Sequence, residues 1–476
     1  MPRRPLHTTG PPDAPLQTAL HELRTQLGVP EAFPPDVLTE AAAATPRLPE
    51  TDATDIPFFT IDPPGSTDLD QAMHLARHGR GFRVHYAIAD VAAFVTPQGA
   101  VDREAHRRVQ TLYFPDGKVP LHPPVLSEAA ASLLPGHTAP ALLWRIDLDA
   151  GGRVHDAEVR RALVRSRARL DYETAQQQID AGTAVESLAL LKDIGLRREE
   201  LERERGGISL NVPEQEITER DGHYALHYRA PRPADGWNAQ ISLLTGMAAA
   251  DIMKKSGTGV LRTLPTAPDG AVARLRRSAR ALRIDWPHHV SYADVVRSLD
   301  PREARHAAFL QECTTLLRGA GYSVFTGGRL PSPAVHAAVA HEYTHCTAPL
   351  RRLVDRYAGE LCLAACAGQG VPEWVLEALA DLPREMADGS RRANTVERES
   401  VDLVEAALLS DRVGEEFDAI VVDVRENQPA VGTVHLTDPA VVGRIEGVSA
   451  LPLGEPLRVR LIQSAPGTAK VLFAPA

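Results

Sequence analysis

Short apolar runs and longer helical patterns alternate along the middle of the chain. Residues 56–62 form an apolar run that ends at Pro63-Pro64-Gly65, where the chain must turn, and residues 82–89 form a second run rich in β-branched and aromatic side chains. Helical periodicity of the apolar positions recurs in three later segments, residues 187–204, 239–254 and 349–366. This alternation predicts a mixed α/β domain over residues 51–385.

The segments on either side of this domain have simpler patterns. Residues 16–27 and 35–44 predict two short helices beside proline pairs, and together they suggest a small helical module over residues 1–50. A helix-turn-helix-like arrangement is one interpretation of this module. Residues 386–400 are polar and charged, so they predict a linker that leads to one helix near residues 401–410.

The end of the chain carries strand-like runs separated by Gly and Pro turns, at residues 417–423, 430–436, 457–463 and 470–473. They predict a small β-barrel over residues 412–476. An OB-fold is the common RNA-binding barrel of this size, and a barrel without a ligand is an equally open alternative. The whole chain is therefore predicted to be an α+β protein with four parts, namely residues 1–50, 51–385, 386–411 and 412–476.

Charge limits how this protein could bind nucleic acid. The formal net charge of the 476 residues is −10, which argues against a protein whose whole surface grips nucleic acid but leaves binding in a channel open. Two local basic clusters exist, although such clusters alone are more typical of solvated helix faces. One contains Arg160, Arg161, Arg165, Arg167 and Arg169, and the other contains Arg351, Arg352 and Arg356.

Cysteine usage and hydropathy bear on location. The four cysteines form no CxxC pair, and their intervals do not suggest a zinc ribbon. No run of about 18 apolar residues predicts a transmembrane helix, and the basic start of the chain has no apolar segment behind it that would make it a secretory signal. We therefore expect a cytoplasmic protein that does not bind membranes.

An acidic cluster is the most informative local feature. Asp62, Asp68 and Asp70 place three carboxylates at the end of a predicted strand and in the loop after it. Converging carboxylates repel one another unless a cation lies between them, and Mg²⁺ is the hard, oxygen-seeking candidate. An EF-hand is excluded because Ala72 stands where that loop needs Asp or Asn. A solvated acidic loop is the alternative interpretation.

A second motif points to a different enzyme class. His341, Glu342 and His345 match the H-E-x-x-H pattern of zinc metalloproteases, which requires both histidines on one face of a continuous helix. Thr347 and Pro349 disfavour such a helix, and no third zinc ligand stands at a recognised interval. Chance occurrence, with His345 hydrogen-bonded near another site, is the favoured interpretation.

The acidic segment resembles the signature of the ribonuclease II catalytic domain, also called the RNB domain, in which a strand ending in Ile-Asp precedes a run of aspartates. Further segments resemble the family in the same order, at residues 84–91, 111–117, 119–121, 126–127, 132–133, 166–172 and 343–352, followed by Asp355. The resemblance covers residues 51–370. The predicted terminal barrel stands where the family carries an OB-fold RNA-binding domain.

The resemblance implies a 3′-to-5′ exoribonuclease that hydrolyses single-stranded RNA to nucleoside 5′-monophosphates with Mg²⁺, or Mn²⁺ in its place. Asp68, Asp70 and Arg351 would be catalytic, and Asp62, Asp68, Asp70 and Gln71 would be the metal-binding residues. The RNA-binding residues that it implies are Tyr113, Tyr172, Arg169, Arg351 and Arg352. The expected partner is RNA with a free 3′ end, and nothing in the sequence indicates an obligate protein partner, so we expect a monomer.

Two departures from the family pattern favour an alternative. Gln71 stands where the family has a fourth aspartate, which removes one negative charge from the metal site and should weaken metal binding. Leu243 stands where the family has a glutamate that helps to hold the RNA end. The usual N-terminal cold-shock domains also cannot fit into about 50 residues. A catalytically impaired RNA-binding protein on the same fold is therefore the second hypothesis.

Overall fold

The computed structural model describes residues 7–8, 14–220, 223–317, 319–425, 427–436, 438–439 and 441–476. The described N-terminal part contains strand β1 (His7–Thr8) and helices α1 (Ala14–Gln26) and α2 (Pro35–Ala43). Both predicted helices are confirmed. They pack on different cores, however, because α1 lies against the C-terminal barrel and α2 lies against the first barrel. Helices α1 and α2 therefore do not form the separate module that the sequence suggested for residues 1–50.

Five strands close the first barrel in the order β2-β3-β4-β7-β8. Its elements, with the helix and hairpin inserted between its strands, are β2 (Phe58–Ile61), β3 (Gln71–His78), β4 (Gly81–Ala89), α3 (Ala100–Arg108), β5 (Leu112–Phe114), β6 (Gly117–Val119), β7 (Thr138–Leu148) and β8 (Val154–Leu170). β2 pairs in parallel with β8, and the other neighbouring strands are antiparallel. Tyr86 and Trp144 are paired across β4 and β7 and are fully buried.

The first basic cluster lies on a strand of this barrel. All five arginines from Arg160 to Arg169 belong to β8, so the solvated helix face that their spacing suggested is wrong. Arg161 instead forms ion pairs with Asp90 and Glu360, two carboxylates that are almost fully buried. Strand alternation gives Arg161, Arg165, Arg167 and Arg169 one parity and Arg160 the other, so the five arginines do not all share one face.

Helices and short strand pairs follow the first barrel along the chain. They are α4 (Tyr172–Asp180), α5 (Glu186–Glu204), β9 (Glu214–Arg220), β10 (His223–Arg229), α6 (Pro233–Ser256), β11 (Gly259–Thr263), α7 (Asp269–Ala281), α8 (Tyr292–Ser298), α9 (Ala304–Cys313), β12 (Gly321–Phe325), β13 (Val335–His336), β14 (His341–Glu342) and α10 (Leu353–Cys366). The α5, α6 and α10 helices join the barrel in one apolar core.

The segment predicted as a linker is part of a long helix. After α11 (Glu373–Leu379), helix α12 (Leu382–Leu409) runs without a break through residues 386–400. A Cβ atom at Gly389 would lie 2.6 Å from a side-chain carbon of Val109, so glycine permits close packing there. The linker prediction is therefore wrong, because only one face of this helix is apolar and the opposite face carries the charges that suggested a loop.

The C-terminal barrel confirms the predicted small β-domain. Its strands are β15 (Glu416–Arg425), β16 (Gln428–Leu436), β17 (Val442–Glu446), β18 (Pro456–Ala465) and β19 (Ala469–Pro475), and they close in the order β15-β16-β17-β19-β18, as in an OB-like barrel. The sequence did not predict β17, because Gly443 and two charged residues interrupt its apolar pattern. A Cβ atom at Gly443 would lie 2.4 Å from the ring of Phe473, so glycine admits that core ring.

The cysteines are all free thiols, and three of the four are buried. Across the described ranges, every helix is too short or too polar to cross a membrane.

Candidate active site

The loop between β2 and β3 carries the predicted acidic residues. Asp62 follows β2 directly, and Asp70 directly precedes β3. Ser132 holds the loop between them, because its hydroxyl accepts a hydrogen bond from the Leu69 amide at 2.9 Å and donates one to the Thr67 carbonyl at 2.7 Å. The barrel and Ser132 therefore fix where the carboxylates stand before any ligand binds.

Asp70 is buried in an ion pair. Its Oδ2 accepts a hydrogen bond from Nε of Arg351 at 3.0 Å, and its Oδ1 accepts one from the Leu350 amide at 2.8 Å. Burial raises the pKa of Asp70 to about 7, and Arg351 opposes this shift. A cation close to the side chain will favour its carboxylate form.

Asp62 shares the electrostatic environment of Asp70. Burial raises its pKa to about 6, while Arg351 lowers it and Asp68 raises it. Its Oδ2 is buried and has no hydrogen-bond partner within the part of the chain that the structure describes. A buried carboxylate oxygen without a partner is costly, so it indicates a position that a ligand could complete.

Asp68 has a partner that the sequence analysis missed. Its Oδ1 accepts a hydrogen bond from Nζ of Lys118 at 2.7 Å, and Lys118 also lies 3.1 Å from Glu128. Lys118 and Glu128 both lie just outside the segments that resemble the family. Neither stands at a spacing from Asp68 that would have identified it, because the contact arises from tertiary folding.

The two neighbouring arginines have different roles. Arg351 reaches Asp70 with 31% of its side chain exposed. Arg352 instead forms two hydrogen bonds with Asp355, at 2.7 and 2.8 Å, and Asp355 also accepts one from the Ala348 amide. Arg352 is predicted to bind RNA, and in this structure its guanidinium is paired with Asp355 three residues later. Only Arg351 of the pair faces the acidic loop.

The predicted tyrosines and Arg169 lie beside the carboxylates. Tyr172 begins α4, its hydroxyl accepts a hydrogen bond from Asn238 at 3.1 Å, and burial and then Asp62 raise its pKa. Tyr113 is 40% exposed and lies close to Arg351. Burial and Arg352 lower the pKa of Arg351, whereas Tyr113 raises it. Arg169 is exposed, donates a hydrogen bond to the Ser66 carbonyl at 2.9 Å, and lowers the pKa of Asp62.

The two departures from the family pattern have structural counterparts. The Gln71 amide donates a hydrogen bond to the Thr347 carbonyl, so it joins the acidic strand to the segment before Arg351. Leu243 packs on an apolar cluster of Met247, Val339 and Tyr343. Gln71 was predicted as a metal ligand through its amide oxygen, and the hydrogen bond made by its amide nitrogen leaves that prediction untested.

The donor chemistry of the site fits a divalent cation, but its arrangement is not that of a preformed metal cage. Asp62, Asp68 and Asp70 offer the carboxylate oxygens that Mg²⁺ prefers, and the Asp62 Oδ2 lacks a partner. Within the described ranges, no group of three or more His, Cys, Asp or Glu side chains is placed to hold a metal. Arg351 and Lys118 occupy two of the carboxylates instead.

The zinc-protease alternative is wrong. His341 and Glu342 lie in strand β14, which pairs with β13, and not on a helix. His345 is buried, and its Nδ1 lies 2.6 Å from the Tyr322 hydroxyl. Without a helix, the two histidines do not share the face that zinc binding by this motif requires.

Comparison with known proteins agrees with this architecture. Residues 50–365 match the family model of the RNB domain, and residues 415–476 match that of the RNase II-type exonuclease C-terminal S1 domain. The chain is 26% identical to ribonuclease R of Aquifex aeolicus over 498 residues, which covers 96% of this chain and 70% of that protein. Several curated relatives named ribonuclease R are longer, and the chain spans 52% to 70% of their length.

Solved structures share the fold at low identity. The chain superimposes on Mycoplasma genitalium RNase R in complex with ribose methylated single-stranded RNA with a TM-score of 0.85 and 18% identity, covering 98% of this chain and 78% of that one. It also matches yeast Ssd1, described as a pseudonuclease, with a TM-score of 0.72 and 18% identity, covering 90% of this chain and 55% of that one. The same fold therefore occurs in a nuclease and in a pseudonuclease.

Proposed function

The chain belongs to the RNB family, and from that premise we propose that it is a divalent-metal-dependent 3′-to-5′ exoribonuclease that hydrolyses single-stranded RNA to nucleoside 5′-monophosphates. The observation that carries the proposal is the meeting of Asp62, Asp68 and Asp70 with Arg351, which lies 281 residues after Asp70 in the chain. Buried acids beside a guanidinium suit a reaction at a phosphate, because the arginine attracts the anion and the acids attract a cation.

Each side chain has a physical task in this proposal. Asp62, Asp68 and Asp70 would hold Mg²⁺ or Mn²⁺, and the bound ion would activate water and offset the charge that develops on the phosphate. Asp70 also fixes the orientation of Arg351, whose guanidinium would bind the scissile phosphate. Tyr113 and Tyr172 would stack on bases near the RNA end, a contact that tolerates any sequence.

A second candidate is an RNA-binding protein with impaired catalysis. It is favoured by Gln71, which supplies no negative charge and bonds to the Thr347 carbonyl, and by Leu243, which packs in an apolar cluster. Both features would weaken the metal site or the hold on the RNA end, and they leave the OB-like barrel unchanged. This candidate predicts that RNA is bound and stays intact.

The experiment that separates the candidates uses 5′-labelled single-stranded RNA with Mg²⁺. The exonuclease proposal predicts products that shorten progressively from the 3′ end, together with free nucleoside 5′-monophosphates identified by chromatography. A circular RNA of the same sequence is the matched control, because it offers no 3′ end. A duplex with a 3′ overhang tests the preference for single strands, since cleavage should stop near the duplex.

The outcomes point in different directions. Cleavage of the circular RNA would contradict an exonuclease, and loss of the 5′ label as mononucleotide would contradict the direction. RNA that is retained in a gel-shift experiment but stays intact in Mg²⁺ and in Mn²⁺ would support the second candidate. A cytoplasmic location and a monomeric state stay predictions.

A further inference from the structure

The β5–β6 hairpin presents one residue pair to the active site and buries the other side. Tyr113 and Lys118 are directly opposite each other in the hairpin, so they share one face. Leu112, Phe114 and Val119 instead join the apolar core formed by α1, α12 and the C-terminal barrel. The hairpin is therefore anchored from behind, and its exposed face points a lysine and a tyrosine towards the acidic loop.

Helix α1 also holds the turn of the hairpin in place. Asp116 forms an ion pair with Arg24 of α1, and the Arg24 guanidinium carbon lies 4.2 Å from the centre of the Phe114 ring. Arg24 has only 10% of its side chain exposed. Helix α1 thus holds the hairpin in one position, and Lys118 does not have the freedom of an ordinary surface lysine.

Lys118 is held between two carboxylates of the site. Its Nζ lies 2.7 Å from Asp68 and 3.1 Å from Glu128, and the other Glu128 oxygen accepts a hydrogen bond from the Thr67 hydroxyl at 2.9 Å. Asp68, Glu128 and Thr67 are therefore linked around the ammonium group of Lys118. The ammonium lies where the negative charge of Asp68 would otherwise attract a divalent ion.

We propose that Lys118 is a built-in counter-charge that competes with the divalent cation for Asp68 and so sets how much metal the active site needs. The inference rests on the metal-dependent function proposed above. A fixed positive charge a few ångströms from a bound divalent ion opposes its binding, whereas the same charge stabilises the carboxylate cluster when no metal is bound. Lys118 acts through Asp68, so it is a positioning residue.

The test measures Mn²⁺ binding directly, by electron paramagnetic resonance of the free ion, without RNA. Lys118→Met removes the charge and keeps much of the side-chain volume, and it should tighten Mn²⁺ binding by about tenfold. Lys118→Arg keeps the charge and should bind Mn²⁺ as the parent does. Lys470→Met is the matched control, because Lys470 also pairs with two carboxylates, Glu399 and Asp402, but on the C-terminal barrel.

The outcomes separate this inference from the proposed function. Tighter binding by Lys118→Met alone supports the counter-charge, and thermal unfolding of each variant confirms that it is folded. Unchanged or weaker Mn²⁺ binding by Lys118→Met overturns it, as does equal tightening by Lys470→Met. RNA degradation by the parent in Mg²⁺, measured on the same preparation, decides the proposed function independently.

Discussion

The chain contains two closed five-stranded barrels that treat polar groups in opposite ways. The first barrel buries charge at its rim, where Asp70 is 3% exposed and Asp90 is 1% exposed. The C-terminal barrel keeps its ion pairs in solvent, as between Arg458 and Asp418, whose side chains are 54% and 82% exposed. Exposed pairs contribute little to stability, whereas buried charges are costly unless they are well paired.

Buried polar side-chain atoms without a hydrogen-bond partner also distinguish the two barrels. In the first barrel and its rim, buried side-chain atoms of Thr60, Asp62, His74, His85 and Trp144 have no hydrogen-bond partner. Over the described residues between 412 and 476, no side-chain atom is buried in this way. Barrel closure is therefore compatible with either arrangement.

The largest effect expected from this difference concerns Asp70. Asp70→Asn should lower the single-turnover rate of RNA cleavage by about a thousandfold, because the amide cannot balance Arg351 or a divalent ion. RNA affinity, measured by gel shift, should change far less. Asp418→Asn in the C-terminal barrel is the matched control and should cleave at the parent rate. Comparable rates for Asp70→Asn and the parent would refute the assigned role.

Stability gives the next largest contrast. Asp90→Asn should lower the free energy of unfolding by about 3 kcal/mol, because it breaks the ion pair with Arg161 and weakens the hydrogen bond from the Ala93 amide. Asp418→Asn removes a 2.9 Å contact with Arg458 that is exposed to solvent, and it should lower the free energy of unfolding far less. Urea denaturation measures both. Equal losses would mean that burial does not distinguish the barrels.

Arg351 offers a smaller, more specific effect. Arg351→Lys keeps the charge but loses the planar guanidinium, so turnover should fall by roughly 10- to 100-fold while RNA affinity changes little. Arg458→Lys in the C-terminal barrel serves as the comparison and should keep the parent turnover. A change in affinity alone would make Arg351 a residue that positions RNA rather than one that acts in the reaction.

The smallest expected effect is a dependence of stability on pH. The folded-state pKa values of Asp62 and Asp70, about 6 and about 7, lie above the ordinary 3.8, so between these values the folded protein binds more protons than the unfolded chain. Without divalent ions, the free energy of unfolding should therefore fall as the pH rises from about 4 to about 7.

In the Asp62→Asn variant, the free energy of unfolding should fall less steeply with pH in the acidic part of this range. At pH 7 the variant should be more stable than the metal-free parent by on the order of 1–2 kcal/mol, because it no longer ionises a buried carboxyl group. Asp418→Asn should follow the parent curve, since Asp418 is exposed. Parallel curves for Asp62→Asn and the parent would show that burial does not shift this group.

The sequence predicted local features well and missed those that depend on tertiary contacts. Periodicity identified α1, α2, α5 and most strands of the C-terminal barrel, because each has its own apolar face. The acidic loop and Arg351 were predicted from motifs, and the structure brings them together. Lys118 and Glu128 were missed, since a lysine and a glutamate in separate segments carry no signal until folding places them beside Asp68.

The predicted linker failed for a related reason. Residues 386–400 contain many charges and a glycine, which are also common in loops. The buried positions Met386, Gly389, Val396 and Ser400 lie on one side of α12, but two of the four are small or polar. Apolar periodicity was therefore too weak to outweigh the charges, whereas the contact between Gly389 and Val109 is visible only in three dimensions.

Helix α12 is continuous where a flexible linker was expected. It packs behind the β5–β6 hairpin and leads directly into the C-terminal barrel, so it connects the two rigidly. Each residue inserted into or removed from α12 would turn the attached barrel by about 100° and shift it by about 1.5 Å along the axis. A flexible tether would absorb such a change. The length of this helix therefore sets the direction from which the C-terminal barrel faces the carboxylates.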